Sequence, residues 1–178
     1  DTGIAMKKIC LALMMLAPLG TTAYALEAPY LGFDAALATL NTKTDDAQMP
    51  AIRVRLGSEI TRYVGVETQL VRGVVEDEVK QTVGSFDVGL DGSAGIYLRL
   101  QLPVGDAFTL YGLAGYAQSW LKVGSTVPGF SSFKTHDKDF SGGGGIDVHL
   151  TKNTGLTLDY MEYIEGLSSV ALGVRVKM

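Results

Sequence analysis

The feature that most constrains this chain is a period-two alternation of aliphatic residues. It recurs in separate short segments and carries charges at their centres. In residues 51–58, Ile52, Val54 and Leu56 alternate with Arg53, Arg55 and Gly57. In 93–102, Ile96, Leu98, Leu100 and Leu102 alternate with Gly95, Tyr97, Arg99 and Gln101, and in 170–178 Val170, Leu172, Val174, Val176 and Met178 alternate with Ala171, Gly173, Arg175 and Lys177. Successive residues of a strand face opposite sides, so this is the period of β-structure. Residues 63–71 set Val64, Val66, Thr68 and Leu70 against Tyr63, Gly65, Glu67 and Gln69. Residues 30–40 set Leu31, Phe33, Ala35 and Leu37 against Gly32, Asp34, Ala36 and Ala38. Residues 140–150 set Ile146, Val148 and Leu150 against Gly145, Asp147 and His149. Residues 155–164 set Leu156, Leu158, Tyr160 and Ile164 against Thr157, Asp159, Met161 and Tyr163. An eighth segment, 107–121, is apolar and glycine-rich on both faces, and the pattern does not orient it.

One face is therefore aliphatic, and the other carries Asp34, Arg53, Arg55, Glu67, Arg99, Asp147, Asp159 and Arg175. Periodicity alone does not say which face is inside. In a water-soluble sandwich the aliphatic face turns inward; in a membrane barrel it turns to lipid and the charges line the lumen. Mixed signs in similar numbers favour the lumen, because buried charges must be paired. The expectation is a structural ion-pair network of these eight residues. Composition agrees with a β-protein. The chain is 47% hydrophobic and 19% charged, which excludes a disordered acidic chain. Its 22 glycines disfavour a large helical protein. A net charge of -4 argues against a nucleic-acid-binding role.

The N-terminus reads as an address. Met6-Lys7-Lys8, the apolar run Ile9 to Leu19 and the small-x-small Ala23-Tyr24-Ala25 are the three parts of a secretory signal peptide. Residues 1–5 then form an upstream extension, 6–25 the signal peptide, and 26–178 the barrel domain. Cleavage would remove Cys10, the one cysteine. Past the signal there is no run of 18 apolar residues. An apolar exported chain with no helical span points to a closed barrel, the other fold that satisfies its backbone in lipid.

The connections alternate in length. Those near 41–50, 73–85 and 122–139 are long; those near 58–62, 103–106 and 151–153 are tight, and the last, 165–168, is short with Gly166. Short turns on one side and longer loops on the other are the pattern of an outer-membrane barrel, and eight strands put both termini in the periplasm. With the export signal, Tyr30-Leu31-Gly32, Arg53-Val54-Arg55-Leu56-Gly57, Tyr111-Gly112-Leu113-Ala114-Gly115-Tyr116 and Ala171-Leu172-Gly173-Val174-Arg175 resemble the small outer-membrane β-barrel domain family, which includes the OmpA transmembrane domain, OmpX and the neisserial opacity proteins. The resemblance covers 26–178. It implies an all-β, eight-stranded antiparallel up-and-down transmembrane barrel with an adhesin-like or structural role. One departure is the last residue: the family usually ends in an aromatic residue that aids assembly, and this chain ends in Met178.

Candidates for other chemistry are weak. His136 and His149 are the two histidines. His149 falls at the wrong end of its strand for work on the outer leaflet, and Ser131, Ser132, His136 and Asp137 form a composition common in loops. Glu76-Asp77-Glu78 lacks calcium-loop spacing and reads as a solvated tip. Gly142 to Gly145 lacks the Gly-Lys-Ser/Thr ending of a phosphate loop and reads as relief of crowding. No catalytic residue, cofactor or metal is expected. The aromatic residues Tyr30, Phe33, Tyr63, Phe108, Trp120, Tyr160 and Tyr163 are expected near the rims, with Trp120 as the membrane-interface anchor. The reading is a monomer in the outer membrane of a Gram-negative bacterium, meeting lipid, lipopolysaccharide and the barrel-assembly machinery. Loops 41–50, 73–85 and 122–139 are offered to a host or surface ligand. A small-conductance channel of the porin type, a lipid-modifying enzyme and a soluble periplasmic lipophile-binding barrel remain as alternatives.

Overall fold

The computed structural model describes residues 27–41, 46–74, 77–81, 84–125 and 133–178. The expected signal peptide and upstream extension lie outside them, as do parts of each long connection. Among the described residues nine strands follow in order: β1 (Glu27–Asn41), β2 (Asp46–Glu59), β3 (Val64–Gly73), β4 (Asp77–Gln81), β5 (Gly84–Val104), β6 (Phe108–Ser125), β7 (Phe133–His149), β8 (Thr154–Ile164) and β9 (Leu167–Lys177). Each pairs antiparallel with its sequence neighbour, except that β3 passes over β4 to pair with β5; β1 also pairs with β9, and the β3–β5 ladder closes the ring. Eight strands thus form the barrel. The short β4 pairs with the start of β5 and prolongs a hairpin beyond the ring. Closure leaves the ring with no open edge, which lipid requires.

Tight turns join strands at the end carrying the termini, hereafter the near end. In the β2–β3 turn, the Ile60 and Thr61 amides donate to the Val64 carbonyl, both at 2.9 Å, while Thr61 Oγ1 accepts from the Val64 amide at 3.0 Å. The β5–β6 turn has Gly105 at a φ of 66°, where a side chain would be strained.

Alternation fixes which side faces out. Arg53, Arg55 and Arg99 are buried, while Ile52, Leu56, Leu98 and Leu100 between them are exposed. The previously unoriented β6 turns Thr109, Tyr111, Leu113, Ala117 and Ser119 inward, and Leu110, Tyr116 and Trp120 outward. The outward apolar rows stop at polar residues on each of several strands: Thr39, Gln48, Arg72, Lys138, Glu162 and Ser168. About nine residues per strand lie in the belt. At roughly 3.3 Å each and a tilt of about 40° they span about 23 Å, close to the belt of an outer-membrane barrel.

Three expectations are corrected. The long connections are much shorter than the pattern implied. β2 begins at Asp46, the β4–β5 hairpin occupies most of 73–85, and β6 and β7 run to Ser125 and from Phe133. These ends are held by backbone pairing, which no aliphatic row in the sequence has to accompany. Ile164 is buried instead of facing out, because the β8–β9 register shifts between Glu162 and Ile164. Tyr30 and Tyr163 do not join an outer girdle; both are fully buried in the lumen, in phase with Asp34 and Asp159.

Candidate functional site

The lumen has two unlike halves. In the near half, all eight of the charged residues singled out from the sequence turn inward and are buried. Arg53 Nε donates to Asp34 Oδ2 at 2.7 Å and its Nη2 to Asp159 Oδ2 at 2.6 Å. Arg55 Nη2 donates to the other oxygen of Asp34 at 2.7 Å. Arg99 Nη1 donates to Glu67 Oε2 at 3.2 Å and its Nη2 to Asp147 Oδ2 at 2.6 Å. Arg175 pairs with Asp147 and with Glu59, and Lys177 Nζ lies 2.9 Å from Glu59 at the near mouth. Four arginines meet four carboxylates, and the rim pair Lys177–Glu59 adds one of each sign. Neutrality is what burial in a low-dielectric interior demands, since an unpaired buried charge costs several kcal/mol.

Neutral side chains complete the set. The Tyr30 hydroxyl donates to Glu67 at 2.5 Å, Gln69 Nε2 donates to Glu67 Oε1 at 2.7 Å, the Tyr111 hydroxyl donates to Asp159 at 2.8 Å, and Thr157 donates to Asp147 at 2.9 Å. The Arg99 guanidinium lies 3.6 Å from the centre of the Tyr111 ring, and that of Arg175 lies 4.1 Å from Tyr30. Sequence reasoning passed over Glu59, Lys177, Tyr30, Gln69 and Tyr111 as members. The usable signal was phase: Tyr30 lies four residues from Asp34 and Gln69 two from Glu67, so each pair shares a face.

Glycines make the room. Tyr30 lies opposite Gly57, Tyr111 opposite Gly145 and Asp34 opposite Gly173 across their ladders. A Cβ on any of these three glycines would collide with the facing side chain. The four-glycine run of β7 thus serves the lumen through Gly145, and through Gly143, which lies against Met161.

The far half is apolar and small. Met49, Met161, Tyr163 and Leu167 are fully buried there among Val71, Leu90, Leu113 and inward alanines. Ser119 Oγ donates to Ser93 Oγ at 3.0 Å, and Tyr97 shares a hydrogen bond with Ser141 at 3.1 Å. The halves join where the Tyr163 hydroxyl donates to Gln69 Oε1 at 3.4 Å. β8 and β3 are diametrically opposite in the ring, so this contact crosses the full lumen.

The other candidates do not converge. His149 Nε2 lies 2.9 Å from Thr109 Oγ1 near the near mouth. The side chains of His136, Asp137 and Glu76 to Glu78 lie outside the described residues. Among the described residues no group of three His, Cys, Asp or Glu could hold a metal ion. Trp120 is outward and partly exposed, two residues beyond Gln118 on β6.

A family model described as outer membrane protein beta-barrel domain matches residues 9–175. This chain belongs to that family. It is an outer-membrane β-barrel. The fold is shared with OprG of Pseudomonas aeruginosa, at a TM-score of 0.64 and 12% identity over 85% of this chain and 96% of that one. It is shared with Ail of Yersinia pestis, solved with the heparin analogue sucrose octasulfate, at 0.63 and 13% over 85% and 99%. Neisserial surface protein A gives 0.62 and 18% over 84% and 97%. No curated protein matches the chain. At such identities the solved structures speak for the fold alone.

Proposed function

We propose that this barrel acts at the cell surface as a non-conducting scaffold with an adhesin-like role, its outer connections presented to a surface ligand. The observation that carries this is the Tyr163–Gln69 contact across the lumen, backed by packed methionines on one side and paired arginines on the other. An eight-stranded lumen filled by side chains leaves solute little path. In this reading the near end, with its tight turns and the termini, faces the periplasm. The chain is a monomer, exported through residues 6–25 into the outer membrane of a Gram-negative bacterium and inserted by the barrel-assembly machinery, with lipopolysaccharide around its outer rim. The charged network is structural and has no catalytic duty.

The charge of the outer connections narrows the ligand. Segments 41–50, 73–85, 122–139 and 165–168 hold eight carboxylates against five lysines and no arginine. Ail was solved with a polyanion. An acidic outer face disfavours a polyanion here and favours an uncharged or cationic surface. The runner-up is a small channel: Arg53 Nη1 and Arg55 Nη1 are buried without a hydrogen-bond partner, and water admitted to satisfy them would begin a polar path between the paired charges.

The test is current through planar bilayers holding the refolded protein, beside binding of whole cells to positively charged and heparin-coated surfaces. The expected result is no unitary conductance, with binding to the positive surface that falls when 73–85 is replaced by a Gly-Ser turn. Steady unitary steps that change size in the Arg99→Ala variant would transfer the assignment to the channel.

A further inference from the structure

The outer wall carries a recess of about 430 Å³ in the near half of the belt, between the start of β3 and the β5–β6 hairpin. Exposed Leu100, Leu102 and Leu110 and half-buried Val64 form its sides, and its floor is the backbone at the cross-strand pair Gln101–Tyr111. The recess exists because Gly112, opposite Leu100, presents no side chain to lipid, and the wall stays low across the Gly112–Gly144 pair of the next ladder. At its near end stands exposed Tyr63, with the Arg62 guanidinium 5.8 Å from the ring centre. That corner is fixed in place: the Gln101 amide donates to the Tyr63 carbonyl at 2.9 Å, and Gln101 Nε2 donates to the Arg62 carbonyl at 3.3 Å.

We propose that this recess is a site for one phospholipid of the inner leaflet, its acyl chain lying over Gly112 and its phosphate meeting Arg62. Two independent features point to the same ligand. An apolar groove inside the hydrocarbon belt takes a hydrocarbon chain, and a cation beside a rim tyrosine, one strand-turn below, takes an anionic headgroup. The end of the barrel selects a phospholipid over lipopolysaccharide, and for that assignment of leaflet alone the inference rests on the orientation proposed above.

Gly112 also makes the site testable. A Cβ there meets only the Gly143 carbonyl oxygen, at 3.8 Å, an ordinary contact, so a leucine side chain can enter the recess without moving the wall. The experiment is native mass spectrometry of the refolded barrel released from detergent containing palmitoyl-oleoyl phosphatidylglycerol, with dioleoylglycerol as the phosphate-free probe. The wild type is expected to retain one phosphatidylglycerol per barrel. Gly112→Leu should lower that fraction at least fivefold, and Ala35→Leu, on β1 at the opposite wall, should not. Arg62→Gln should lower retention of phosphatidylglycerol and leave that of dioleoylglycerol unchanged. Equal loss in Ala35→Leu, no retained lipid in the wild type, or dioleoylglycerol held as well as phosphatidylglycerol would overturn the proposal. So would a dimer of barrels that Gly112→Leu dissolves, which would make a second copy the occupant. Heat-dependent gel mobility verifies folding of each variant, and if Gly112→Leu fails to fold, the Arg62→Gln arm decides.

Discussion

The near and far halves of the lumen solve one packing problem by opposite chemistry. Both sit inside the same eight strands, and both are lined by buried side chains. The near half is filled by four arginines, four carboxylates and two tyrosines held in fixed partnerships. The far half is filled by methionine, leucine, alanine and serine, with few directional contacts. A charged core is unforgiving: each member depends on its partner, and the set as a whole contributes little beyond an apolar core of the same volume. An apolar core degrades gradually, by the size of the hole left behind. From this difference we propose that the near half fixes register and shape, and that the far half contributes more of the apolar packing.

The largest expected effect follows from that contrast. Arg99→Ala deprives Glu67 and Asp147 of a shared partner and removes the cation over Tyr111. The expected loss is about 3–5 kcal/mol, the cost of leaving buried charge uncompensated. Urea unfolding in lipid vesicles, followed by the emission of Trp120, reads it directly. A loss under about 1 kcal/mol would mean that water enters the near half and that its charges are solvated. Met161→Ala, in the far half, should cost about 2–4 kcal/mol on the same measurement. It should leave the protein silent in planar bilayers, since the Arg53 and Arg99 contacts still fill the near half.

Intermediate effects test the glycines. Gly57→Ala places a methyl group against the Tyr30 ring, which is itself held by Glu67. Overpacking of this kind costs about 1–3 kcal/mol. The double variant Gly57→Ala, Tyr30→Leu should recover part of that loss in the urea midpoint; no recovery would show that the glycine serves the backbone and not the ring. Smaller again is Tyr111→Phe. Asp159 Oδ2 loses one donor but keeps Arg53 at 2.6 Å, so about 1 kcal/mol is expected.

The same contrast explains what could be read from the residues. The near half was legible because Arg53 and Arg55 interrupt Ile52, Val54 and Leu56, and a charge between aliphatics reveals both period and face. The far half was not: Ala36, Ala38 and Ala117 say nothing of direction, and β6 holds leucine, glycine and alanine on both faces. Its orientation comes from a neighbour, since Tyr111 needs the space that Gly145 leaves on β7. The outer ends of β5, β6 and β7 were hidden for another reason. Backbone pairing holds them, and backbone pairing leaves no pattern in side chains. Tyr30 and Tyr163 were misassigned to the rim because an aromatic residue near a strand end suits either place. Only phase against Asp34 and Asp159 separates the two.

The weakest expected effect concerns the outer wall, where neither half of the lumen has influence. Trp120 lies beyond Tyr116 and Gln118 on β6, past the end of the apolar row, and its ring is partly exposed. An indole at that height is proposed to sit among headgroups, its apolar body toward the chains and its N–H toward water. Substitution by Phe keeps most of the buried area, so stability should change by under about 1 kcal/mol, too little to decide the matter. Depth decides it instead. In vesicles of lipids brominated at successive acyl positions, quenching of Trp120 should be strongest for bromine nearest the headgroup and fall steadily toward the bilayer centre. Strongest quenching at the centre would raise the belt along the barrel, toward the end that carries Trp120, by several residues. It would also carry the Arg62–Tyr63 corner out of the bilayer, and with it the headgroup end of the lipid site.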